Sequence, residues 1–175
     1  MLVLVVGPSG AGKDSLLKAA REVFRDDARI HFARRVITRP PDPYGEDHEA
    51  ITPEDFAARE FALSWSAHGL HYGIPAAALT APVAVANVSR GVIAEAALRH
   101  RTRVIEVTAP PDVLAARLSG RGRESAEDIA RRLLRTVTLP GGVEVETVWN
   151  DGMLAEGVER FVAALRRVLN ECDLK

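Results

Sequence analysis

A continuous apolar run, Leu2-Val3-Leu4-Val5-Val6, breaks at Gly7 and passes at once into Pro8-Ser9-Gly10-Ala11-Gly12-Lys13. This junction constrains the fold more tightly than any other stretch of the chain. Consecutive β-branched and leucine residues suit a strand buried on both faces of a parallel sheet, where no polar alternation is needed. From about Asp14 to Phe24, the apolar residues Leu16, Leu17, Ala20 and Phe24 recur at helical spacing. Gly7, Gly12 and Lys13 meet the spacing G-x-x-x-x-G-K between that strand and that helix. In this context the pattern means a phosphate cradle. The glycines let backbone N–H groups turn inward around a β-phosphate, and the positive end of the following helix adds to the attraction. Lys13 can reach the β- and γ-phosphate oxygens and offset charge as the bond between them breaks. The cradle expected to take ATP is therefore Gly7, Ser9, Gly10, Ala11, Gly12, Lys13, Asp14 and Ser15.

The position after the lysine commonly carries Ser or Thr to hold Mg2+. Here it is Asp14, followed by Ser15. A carboxylate is a competent Mg2+ ligand, directly or through water. Asp14 and Ser15 are thus the two metal candidates, with Mg2+ expected to accompany ATP. Lys13 stands out in another way: the chain has only three lysines, Lys13, Lys18 and Lys175, and its other basic residues are arginines. The net charge of -1 gives no global pull toward nucleic acid or membrane, so any anion site must be a local arrangement. The single cysteine, Cys172, excludes an intrachain disulfide or a cysteine metal cluster. Leu2 to Val6 is too short to cross a bilayer and lacks a basic leader, so the expected setting is cytoplasmic.

The remaining segments extend the pattern. Arg35-Val36-Ile37-Thr38 reads as a strand end running into a stretch with three prolines, Arg39 to Gly45. Thr52-Pro53-Glu54-Asp55 carries the cap, proline and acids of a helix start. Phe61 to Trp65 and Leu70 to Ile74 suggest two short strands joined at His68-Gly69. Val83 to Val88 and Arg103 to Val107 are further buried strands, each before a helical segment, roughly Val92 to Arg99 and Asp112 to Leu118. Glu144 to Trp149 and the amphipathic stretch Leu154 to Leu169 close the chain. Strands alternating with helices imply an α/β fold of three layers around a parallel sheet. The expected organisation is one domain: a core of about 1–37 and 81–175, an inserted acceptor-binding subdomain at about 38–80, and a lid at about 119–131.

Phosphoryl transfer requires two anions to be brought together and their charge offset, a task suited to the planar fork of arginine. Arg35 with Arg39, Arg90, and the segment Arg117 to Glu124 with Arg131 and Arg132 beyond it are the candidates. Tyr72 is placed either to hydrogen-bond an acceptor phosphate or to pack within the hairpin. His48 and Glu49 either touch substrate or belong to a solvated loop. Trp65 reads as core of the inserted unit.

Gly7 to Lys13, Thr38-Arg39, His68 to Gly73, Arg121-Gly122-Arg123-Glu124, Arg132-Leu133 and Asn150-Asp151 occur in the order found in guanylate-kinase-like P-loop kinases, which the chain resembles over nearly its whole length. The resemblance implies that Arg39 and Tyr72 hold an acceptor phosphate and that Arg121 and Arg132 bridge the phosphates during transfer. Departures are equally informative. Ser64 and Ile74 stand where guanylate kinases carry the Glu and Ser that read guanine, and Asp42 replaces their second phosphate arginine. Without polar partners a base-reading site loses its discrimination. Arg35 and Arg90 stand where those enzymes have uncharged polar residues. With Lys13-Asp14-Ser15, Leu63-Ser64-Trp65 and Asn150-Asp151-Gly152, they make the chain similar to the ribose 1,5-bisphosphate phosphokinases, in which an aspartate after the lysine is usual. The implied substrates are ATP and ribose 1,5-bisphosphate, bound on the acceptor side by Arg35, Arg39, Tyr72 and Arg90. The alternatives are a guanylate or other nucleoside-monophosphate kinase, a kinase of a neutral sugar, or a non-catalytic binding module of the same fold; the intact loop counts against the last.

Overall fold

The computed structural model describes residues 1–41, 47–119 and 142–174. A five-stranded, all-parallel sheet has the order β2-β7-β1-β8-β9, with β1 (Leu2–Val6) at its centre. Its other members are β2 (Ile30–Phe32), β7 (Val83–Asn87), β8 (Thr102–Thr108) and β9 (Glu144–Trp149). The apolar run of β1 is buried along its entire length because both faces are covered. Val3 and Val5 point toward α1 (Lys13–Val23) and the long closing helix α5 (Leu154–Asp173), where they meet Leu16, Ala20, Phe161 and Leu165. Leu2, Leu4 and Val6 point the other way, toward Ile93 and Ala96 of α3 (Ile93–Arg99) and toward Leu63 and Ile74. The helix α4 (Pro111–Ser119) joins the first of these layers through Leu114.

Leu63 and Ile74 belong to a second sheet, of order β4-β3-β6-β5. Its strands are β3 (Arg35–Ile37), β4 (His48–Ala50), β5 (Leu63–Ala67) and β6 (Leu70–Ile74). The β5–β6 hairpin turns at His68 and Gly69, with φ of 54° and 75°, the paired left-handed geometry of a type I′ turn. The short helix α2 (Pro53–Ala57) starts as its sequence suggests, with the Thr52 hydroxyl accepting from the Asp55 N–H at 3.1 Å. On this side of the sheet Phe61 lies before β5 rather than within it. Its ring stacks on Phe56 and fills the space that a side chain at Gly73 would need. Among the described residues no helix is long and apolar enough to cross a membrane.

Arg29 connects the turn after α1 to the end of α5, pairing with Asp27 at 2.7 Å and with Asp173 at 2.6 Å. The hydrogen bonds from the Arg29 side chain and backbone hold the Asp27 carboxyl at about 2, against an ordinary value of 3.8. Folding therefore favours the carboxylate. Its stabilisation is complete above the ordinary carboxylate range and is lost as pH falls through the lowered value. Urea midpoints followed from about pH 5 to about pH 2 should fall more steeply for the native chain than for Asp27→Asn. Equal slopes would show that the pair contributes nothing to acid stability.

Candidate active site

The loop after β1 leaves the middle of the parallel sheet at its carboxyl edge, where open α/β sheets bind their ligands. Gly7 has φ of 141°, and a Cβ there would stand 1.9 Å from the Val107 carbonyl oxygen of β8. Gly12 has φ of 87° and precedes α1, which has no side-chain cap. Ala11 is fully buried and offers only its backbone. Lys13 Nζ donates to the carbonyl oxygens of Gly7 at 2.8 Å and Pro8 at 3.0 Å, so the ammonium lies drawn across the loop.

Asn150, buried just after β9, braces this loop from the other side. Its Nδ2 donates to the Ala11 carbonyl at 2.8 Å, and its own carbonyl accepts from Arg117 Nη1 at 2.8 Å. A Cβ on Gly12 would fall 2.4 Å from Asn150 Nδ2, and one on Gly157 would fall 2.3 Å from its Oδ1. The amide thus fits only because both neighbours are glycine. Arg117, one of the arginine candidates for phosphate binding, lies in α4 and is turned onto this brace. Beside it, the Asp151 carboxyl is held below the usual carboxylate range, chiefly by a hydrogen bond from Arg160 at 2.8 Å, with its own backbone N–H and the charge of Arg117 assisting.

Asp14 and Ser15 open the first turn of α1 on its exposed side. Asp14 Oδ1 accepts from Asn87 Nδ2 at 2.9 Å, a contact between residues 73 apart in sequence. Asn87 itself is buried at the carboxyl end of β7.

On the second sheet, the Arg35 guanidinium carbon sits 5.7 Å from the centroid of the Tyr72 ring. Tyr72 stacks on Trp65 with centroids 5.4 Å apart and planes 6° from parallel. Arg39 follows β3, and its carbonyl accepts from His48 Nε2 at 3.1 Å. The Arg39 Nε is buried with no hydrogen-bond partner among the described residues. His48 is therefore a buried support for Arg39, and Glu49 is engaged by Arg59 on the rim. Arg90 begins a 3-10 turn (Arg90–Val92) capped by Ser89, and that turn packs against β5. Of the four expected acceptor residues, Arg35 and Tyr72 are thus in contact, Arg39 follows the same strand β3, and Arg90 lies in the turn against β5. Arg121 and Arg132 lie outside the described residues, as do Asp42 and the expected lid beyond Ser119, which closes α4. Ile74 is fully buried against the core and Ser64 is exposed, paired with Gly73 across the hairpin. Asn87 was not singled out by sequence reasoning; its one signal is that a polar amide ends an otherwise apolar strand.

No family model matches the chain. Curated relatives do. A ribose 1,5-bisphosphate phosphokinase of Acidiphilium cryptum is 54% identical over 77% of this chain and 76% of its own length. Another of the same name, from Pseudofrankia inefficax, is 48% identical over 93% of this chain and 89% of its own. A bifunctional ribose 1,5-bisphosphokinase-thymidine phosphorylase of Cupriavidus pinatubonensis is 50% identical over 95% of this chain, which spans only 29% of that longer protein. Among solved structures, guanylate kinase from Anaplasma phagocytophilum superposes with a TM-score of 0.63 at 17% identity, covering 95% of this chain and 85% of that one. A gluconokinase from Sinorhizobium meliloti gives 0.56 at 19% identity, covering 98% of this chain and 95% of that one. These two likenesses bear on the fold alone.

Proposed function

The chain belongs to the ribose 1,5-bisphosphate phosphokinase family, and we propose that it performs this family's ATP-dependent reaction through the site built around Lys13, Asp14 and the Arg35–Tyr72 face. The enzyme moves the terminal phosphoryl group of ATP onto ribose 1,5-bisphosphate, yielding ADP and 5-phosphoribosyl 1-diphosphate, a step of phosphonate breakdown. The whole longer relative's second activity is not attributed to this chain.

One observation carries the acceptor assignment. The face of the second sheet offers a guanidinium over a stacked aromatic pair, whereas the position that would read a base, Ile74, is a fully buried aliphatic. Such a face favours anionic oxygens over a heterocycle's edge. Arg35, Arg39 and Arg90 hold the phosphates of the acceptor. The Arg39 Nε, buried without a partner, is a donor whose desolvation an anion would offset. Arg121 and Arg132 are assigned the charge bridging during transfer on resemblance alone. The nucleophile is an oxygen of the 1-phosphate, already ionised near neutral pH, so the site requires no general base. Lys13 leaves its two loop carbonyls for the β- and γ-phosphate oxygens and stabilises the charge that develops there.

Asp14 and Ser15 suit Mg2+. They are hard oxygen donors at the cradle's edge, and one Asp14 oxygen is already oriented by Asn87. Among the described residues no group of three or more His, Cys, Asp or Glu could cage a metal. That matches an ion held by one or two protein oxygens and otherwise by phosphate and water. When bound, Mg2+ offsets the charge of the β- and γ-phosphates. The use of ATP fits work in the cytoplasm.

Purified protein with Mg-ATP, offered ribose 1,5-bisphosphate, GMP or ribose 5-phosphate separately, tests the reading. Turnover should be greatest on the bisphosphate, and greater turnover on GMP would overturn it. Arg35→Ala should raise the KM for the bisphosphate about tenfold or more, with the KM for ATP within about twofold, since one charge-assisted contact contributes 1.5–3 kcal/mol in typical cases. An unaltered acceptor KM would place Arg35 outside the site.

A further inference from the structure

Asn87 is a buried side chain at the carboxyl end of β7, beside the strand that carries the phosphate loop. Its amide meets Asp14 Oδ1 at 2.9 Å. An ionised carboxylate only accepts, so the amide nitrogen must face it and the orientation of Asn87 is settled by its partner. The contact occupies one oxygen of Asp14, and the residue is otherwise exposed at the mouth of the cradle.

In P-loop enzymes generally, the loop supplies a neutral hydroxyl to Mg2+ and an aspartate at a neighbouring strand end supplies the negative charge. Here the charge sits on the loop side, at Asp14, and the neutral group sits on the strand side, at Asn87. Two acids at this separation would repel, and two neutral groups would give the ion no anionic oxygen. One carboxylate and one neutral hydrogen-bonding partner is the combination common to both arrangements. We infer that Asn87 is the positioning residue for Asp14, and that the pair is a charge-exchanged version of the usual loop hydroxyl and strand aspartate. The inference rests on the assignment of Asp14 to Mg2+.

The test is binding of Mn2+ in the presence of ADP, read by electron paramagnetic resonance, for Asp14→Ser, Asn87→Leu and the double variant Asp14→Ser/Asn87→Asp. Asp14→Ser should weaken Mn2+ binding at least about tenfold; no change would remove the underlying metal assignment and this inference with it. Asn87→Leu should weaken binding about tenfold and raise the Mg2+ concentration needed for half-maximal turnover, while kcat at saturating Mg2+ stays within about threefold. A purely structural role for Asn87 would not separate those two quantities. The decisive arm is the exchange variant, which restores one acid and one neutral partner in swapped places. It should recover Mn2+ binding to within about threefold of the native chain, because it again offers one carboxylate oriented by one neutral hydrogen-bonding partner. Binding as weak as that of Asp14→Ser would overturn the inference while leaving the metal assignment standing, whatever Asn87→Leu does.

Discussion

Replacing Lys13 with alanine should lower turnover by about a thousandfold, the upper range for loss of one preorganised charge-stabilising group. The side chain is part-buried, and its ammonium is held on the Gly7 and Pro8 carbonyls of the cradle until it turns to the phosphates. Its charge is needed most where negative charge accumulates on the bridging oxygen, which makes the loss fall on kcat more than on KM. The fold should survive. Neither of its two acceptors lies in the sheet, and the loop remains braced by Asn150. Single-turnover transfer from ATP to ribose 1,5-bisphosphate, with circular dichroism on the same sample, measures both quantities. A loss below tenfold in a folded protein would remove Lys13 from the mechanism.

The second large effect concerns backbone rather than charge. Gly7→Ala should destabilise the protein by more than about 3 kcal/mol, in the range where a core clash has to be relieved by backbone movement. The added Cβ would stand 1.9 Å from the Val107 carbonyl oxygen and 3.0 Å from its carbon. Val107 cannot yield easily, being fully buried and paired with Val148 of β9. Gly69→Ala is the matched control: it also has positive φ, 75°, but a Cβ there meets nothing within 4 Å. That substitution should cost about 1 kcal/mol from conformation alone. Urea unfolding of the two variants side by side separates steric from conformational cost. Equal losses would mean that the loop can move away from β8.

Much of this architecture was legible because its signals are local. The buried strand and glycine loop of residues 2–13, the Thr52 cap, the turn at His68-Gly69 and the apolar face of α5 each depend on residues within a few positions of one another. Two short strands, β2 and β4, gave no such signal. His48-Glu49-Ala50 is a strand only because β3 lies alongside it to complete the hydrogen bonds. The site was legible in part for the same reason. Its phosphate half is one continuous segment, whereas Asn87 reaches Asp14 and Asn150 reaches Ala11 only after folding brings distant strand ends together. Nothing in the residues around 87 or 150 encodes which loop they will face. Arg117 shows the converse: its place among other arginines makes it a phosphate-binding candidate, and tertiary packing gives it a structural carbonyl instead.

The Asn150 brace also sets an order of events at the ribosome. The glycine loop is among the first segments to emerge, yet the side chain that supports Ala11 is made 139 residues later, after the other four strands of the parallel sheet. A nascent chain arrested short of residue 150 carries the complete phosphate motif without the side chain that supports Ala11.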